Sequence, residues 1–244
     1  MTKSFYQVWR LDVLEMKEYL RDRLALFWAI LFPISFLLSG MEWFFPVEAR
    51  NFVIPTVITI TMITTGLFSM ATGVADARSK GVLKTYRASP LQPWKYIAAQ
   101  ILDRTLILLL VVILVLFLGR VVYGQSLGGN SAAFMGIIML CTATMLALGF
   151  VLLTFIKGVE SVGGAAFLLF MLSFVVKGGM IPLDELPFIL PTIARHLPFY
   201  PMSQAVTTVW MGFPADEIWR HLAIICGWLV GFVLIATRWF KWDV

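Results

Sequence analysis

Apolar runs of membrane length alternate with short polar breaks along this chain. Residues 24–41, 51–75, 97–121, 131–156, 161–180 and 220–238 read as six transmembrane helices. At 1.5 Å per residue, runs of this size match a hydrocarbon core of about 30 Å. The pattern before the first run is different. Phe5, Trp9, Val13, Met16 and Leu20 recur at helical spacing, with Arg10, Lys17 and Arg21 elsewhere on the helix. Residues 3–22 therefore read as an amphipathic helix in the membrane plane, serving either as an interface element or as a simple anchor.

The break between the second and third runs is the longest basic one. Arg78, Lys80, Lys84, Arg87 and Lys95 stand there against Asp76 alone. Gly81 interrupts the approach from the second run. Residues 82–88 have room for about two helical turns, with Val82, Leu83 and Tyr86 on one side. Pro90 ends that helix, since it lacks an N–H and disfavours helical geometry at Ser89. Trp94 and Tyr96 suit the headgroup region. Two readings fit: a short helix docking into a partner's groove, or a solvated basic loop on anionic lipid.

Residues 177–214 hold six of the eleven prolines. The stretch is too apolar for a free loop and too broken for one span. Two short helices, over 184–196 and 202–211, are expected, forming a re-entrant hairpin over 181–212 that carries Pro182, Pro187, Pro191, Pro198 and Pro201. Smaller features are ambiguous. The hydroxyls of the second run serve helix packing or a polar path. Gly163, Gly164, Ala165 and Ala166 suit close helix approach. Asp103 and Arg104 lie about one and a half turns from the polar loop, where snorkelling is easy, and read as a structural pair rather than a functional one. Lys157 and Glu160 mark either a second partner contact or a plain charged turn.

Composition agrees with the pattern. Charged residues make up 14% of the chain, against roughly 25% in soluble domains. The formal net charge of +5 needs no nucleic acid. All Lys and Arg except Arg50, Arg120, Lys177, Arg195 and Arg220 fall on one side of the six spans, which makes that side cytoplasmic and places both termini there. The fold class is an all-α integral membrane protein, multi-pass in the cell membrane, with a single transmembrane domain over 1–244. Cys141 and Cys226 lie in apolar runs and read as small packing residues.

The segment Gly81-Val82-Leu83-Lys84-Thr85-Tyr86-Arg87-Ala88-Ser89-Pro90-Leu91 resembles the first cytoplasmic loop of type-2 ATP-binding-cassette (ABC) exporter permeases. Their pattern is Gly-Thr-Leu-x-x-x-Arg-x-Ser/Thr-Pro-Leu, usually after an acidic residue. Val82 departs from it, and Ser79 stands where the acid is expected. Pro182-Leu183-Asp184-Glu185-Leu186-Pro187 and Pro201-Met202-Ser203-Gln204-Ala205 are similar to the family's outer hairpin motifs. The resemblance implies that 81–91 is a coupling helix, with Gly81, Val82, Leu83, Tyr86, Arg87, Ser89, Pro90 and Leu91 meeting an ATPase subunit. It implies two ATPase copies holding ATP and Mg, and a second permease subunit, as a homodimer. The cargo implied is amphipathic: a drug, a lipid or a glycolipid-like molecule.

No Gly-x-x-x-x-Gly-Lys-Ser/Thr loop, His-Glu-x-x-His or Gly-x-Ser-x-Gly occurs in the sequence. No catalytic residue, cofactor or metal ligand is expected on this chain. Three functions compete: permease subunit of an ATP-driven exporter, secondary transporter, and membrane enzyme acting on lipid. A secondary transporter would want carboxylates at mid-membrane, whereas the acids here cluster near span ends.

Overall fold

A computed structural model describes residues 16, 23–43, 47–82, 93–176, 190–213 and 218–239. The expected interface helix, apart from Met16, lies outside the described residues. So do 83–91 of the polar segment and 181–189 of the expected hairpin. Every described element is helical, and no strand occurs among the described residues.

Helix α1 runs Arg23–Leu26, a π turn Phe27–Leu31, then Phe32–Trp43. The π turn lies just ahead of Pro33, which cannot donate to the turn before it. Helix α2 follows a 3-10 turn, Val47–Phe52, and comprises Val53–Thr64, a second π turn Thr65–Met70, and Ala71–Ser79. Then come α3 (Pro93–Tyr123), α4 (Ser131–Phe155), α5 (Val159–Val176), α6 (Leu190–His196), α7 (Phe199–Met211) and α8 (Ile218–Trp239). Pro93 sits at the first position of α3, where no N–H is required. Asn130 starts α4 by accepting from the amides of Ala132 (2.8 Å) and Ala133 (3.2 Å).

By length and apolarity four helices can cross a membrane: Arg50–Ser79, Ile97–Tyr123, Ser131–Phe155 and Ile218–Trp239. Phe27–Ser39 and Val159–Phe174 are apolar but shorter. The most apolar stretch of α2 is 89% buried inside the protein, that of α8 only 17%. Helix α2 is therefore the central post, with α1, α3, α4, α5 and α7 packed on it. Two of its buried hydroxyls bond back to their own helix, Thr59 to the Pro55 carbonyl and Thr61 to that of Val57, each at 2.8 Å. The two π turns face each other. Trp28 stacks on Phe68 with centroids 4.2 Å apart, and Phe170 of α5 packs edge-on to both at 5.7 Å.

Two expectations need correction. Of the small residues at the start of α5, Ala166 is buried in the core, but Gly163 and Gly164 meet no neighbour, since an added Cβ would find nothing within 4 Å. A close backbone approach is found instead at the crossing of α2 and α4. A Cβ on Gly66 would lie 2.4 Å from the Met145 carbonyl oxygen, and one on Gly149 would lie 2.4 Å from that of Gly66. Nor do Asp103 and Arg104 snorkel. Both are buried and paired with each other. Gly73 of α2 makes room for the guanidinium, since a Cβ there would stand 2.9 Å from Arg104 Nη2.

Candidate functional site

The basic end of α2 carries the described part of the predicted coupling segment. The helix stops because Gly81 takes φ +75°, a left-handed conformation that costs glycine little. The Lys80 amide donates to Asp76 O (3.0 Å) and that of Gly81 to Arg78 O (3.1 Å), closing the last turn. Ser79 Oγ donates to Asp76 O at 2.8 Å, and Lys80 pairs with Asp76 at 2.5 Å. That pair is solvent-exposed and contributes little. Val82 is half-buried. Leu83, Tyr86, Arg87, Ser89, Pro90 and Leu91 lie outside the described residues.

Arg78 has a role that the sequence reading missed. Its guanidinium reaches across to the end of α4. Nη1 donates to Leu153 O (3.0 Å), and Nη2 donates to Ile156 O (2.8 Å) and Lys157 O (2.7 Å). A helix end leaves carbonyls without intrahelical donors and carries partial negative charge. Helix α4 has no Lys or Arg in its own last turn and no glycine cap, since Ile156 is extended. Arg78 supplies the missing cation and donors. The signal was there as a deficit, an α4 end with no cap of its own.

The turn capped in this way contains the candidate second contact. Lys157 and Glu160 are both exposed. Glu160 lies in the first turn of α5, where a carboxylate suits the helix dipole. The Val162 amide donates to Gly158 O at 2.9 Å. Arg78 thus brings the 76–82 and 156–160 turns onto one face, two stretches far apart in sequence. A separate apolar cluster lies behind that face, made of Met70, Ala71, Val74 and Ala75 of α2, Leu146, Phe150 and Leu153 of α4, and Val162 of α5.

At the opposite end of the bundle, Arg50, Asn51, Tyr123, Gln125, Ser126 and Trp210 line an open cavity of about 660 Å³. Gln125 Nε2 donates to Arg50 O at 2.8 Å, tying the starts of α2 and of the α3–α4 turn together. The α7 end is fixed to that turn, with the Gly128 amide donating to Trp210 O at 2.8 Å. Of the hairpin prolines, Pro191 falls in the first turn of α6, Pro198 just before α7 and Pro201 in its first turn, positions where a missing N–H costs little. Pro182 and Pro187 lie outside the described residues. Cys141 is buried and Cys226 exposed on α8, both as free thiols.

Residues 45–238 match the family described as ABC-2 family transporter protein. Over 237 residues the chain is 22% identical to "Putative transport permease YvfS" of Bacillus subtilis (strain 168), an alignment covering 92% of this chain and 93% of that protein.

Proposed function

The chain belongs to the ABC-2 transporter family, and from that premise we propose that it forms the translocation pathway of an ABC exporter driven by a separate ATPase. Membership makes it a membrane transport subunit. The finer reading adds six spans, with the short α1 and α5 crossing alongside the four longer helices. Both termini and the basic end face the cytoplasm, where two ATPase subunits with ATP and Mg dock on 81–91. A second copy of the permease completes the pathway. The cargo is amphipathic, a drug, lipid or glycolipid-like molecule.

One observation carries this reading: the matched region 45–238 contains the whole basic segment between α2 and α3. That segment springs from a helix end which the fold takes care to fix. The hairpin over 181–212 caps the exit side, next to the cavity at the non-basic end.

Two tests follow. Leu83→Asp would place a charge in the docking contact, costing several kcal/mol if buried there, on the order of 3–5. The expected result is loss of ATPase co-purification with the permease still inserted in the membrane. Unchanged assembly and unchanged transport would remove 81–91 from the coupling role. For topology, a single cysteine at Lys84, with Cys141 and Cys226 replaced by alanine, should resist an impermeant thiol reagent in intact cells. Labelling from outside would invert the assignment.

A further inference from the structure

We propose that Arg78 is a positioning residue that fuses the turn after α2 and the turn after α4 into one rigid docking face for the ATPase, so that the two turns move as a single body. This rests on the exporter reading for the identity of the partner. The lock itself rests on geometry within this chain.

Three features converge on it. First, one guanidinium spans three carbonyls from two levels of the α4 end, Leu153 together with Ile156 and Lys157. The planar fork of arginine donates in fixed directions, so it sets orientation as well as distance. Second, the ends of α2, α4 and α5 share an apolar cluster that is distinct from the main core. The main core reaches Phe68 on α2, and the second cluster begins at Met70. The boundary falls inside the π turn Thr65–Met70. Third, α3 is held to the same platform, because the paired Arg104 packs into the space left by Gly73, five residues above Arg78 on α2.

The π turn above this cluster is pinned where Gly66 meets the Met145 backbone, so the ends of α2 and α4 are held together on both sides of it. Arg78 and the shared cluster together join the α2 end to the α4 end. A push on the segment after Gly81 therefore carries Lys157 and Glu160 with it. The ATPase meets a composite face with Lys80, Lys157 and Glu160 at fixed spacing.

The experiment places spin labels at Ser79→Cys and Ser161→Cys, exposed neighbours of the two turns, with Cys141→Ala and Cys226→Ala, in the full chain assembled with its ATPase. Electron–electron resonance then reads the distance between the turns. The expected result is one narrow distribution that stays put when ATP is added. Arg78→Ala should broaden it and lower transport per ATP hydrolysed about fivefold, with the ATPase still co-purifying, a size typical of coupling variants. Arg78→Lys, a point charge without the fork, should recover part of that ratio. A wild-type distance that shifts on ATP addition overturns the proposal without any variant at Arg78. An Arg78→Ala distribution as narrow as wild type overturns it as well. If no ATPase assembles with the wild-type chain, the exporter reading fails, while the label distances on the permease alone still decide whether Arg78 locks the turns.

Discussion

Gly66→Val is expected to leave no stably folded protein. The new Cβ would sit 2.4 Å from the Met145 carbonyl oxygen and 2.6 Å from Met145 Cβ. The first of these is backbone and cannot rotate away. Helices α2 and α4 must then separate at the centre of the bundle, where Gly149 already touches Gly66 in return. Overpacking of ordinary core sites costs about 1–3 kcal/mol. Here no side chain can yield, so the cost lies at or above the top of that range. Gly163→Ala is the control, since nothing lies within 4 Å of its added Cβ. Thermal unfolding in detergent should show wild-type behaviour for Gly163→Ala and loss of the cooperative transition for Gly66→Val. A Gly66→Val protein that melts with the wild type would mean that α2 and α4 do not cross there.

The second large effect belongs to Asp103 and Arg104. Both are buried and paired in the most apolar of the spanning helices. Removing one member of a buried pair strands the other charge and costs about 3–5 kcal/mol, whereas replacing both by apolar residues is often close to neutral. Arg104→Leu and Asp103→Leu should each lower the unfolding temperature sharply. The double variant should regain much of the loss, giving a favourable coupling in a double-mutant cycle. If the losses of the two single variants simply add in the double, the pair is not the unit that matters.

How far the sequence led can be judged at individual positions. The helical runs were visible because charge is scarce in them and plentiful between them. The break near 197–198 was visible because proline leaves a local mark. What escaped depends on elements that meet only in space. Gly163-Gly164 looks like a close contact in one dimension, yet Gly66 and Gly149, each single, make the crossing. Asp103 and Arg104 seemed near enough to water to reach it, because nothing in the sequence shows that Gly73 opens a place for the guanidinium. Arg78 looked like one more loop charge, since a carbonyl acceptor can be any residue and leaves no trace in residue identity. The π turns likewise have no fixed composition to read. The predicted partner-binding residues gained a described setting only at Gly81, Val82, Lys157 and Glu160.

The Arg78 contacts also set an order of events during synthesis. Their acceptors lie 75, 78 and 79 residues further along the chain. At roughly 5–20 residues per second, the ribosome needs about 4–15 s to make that stretch. Throughout this interval α1, α2 and the basic segment exist without their lock. The guanidinium is free during that time to stay with water and lipid headgroups while α3 and α4 are threaded into the bilayer. Closure comes only when the end of α4 arrives, so a nascent chain halted before residue 157 would carry a basic segment that is complete in sequence but not yet held in place.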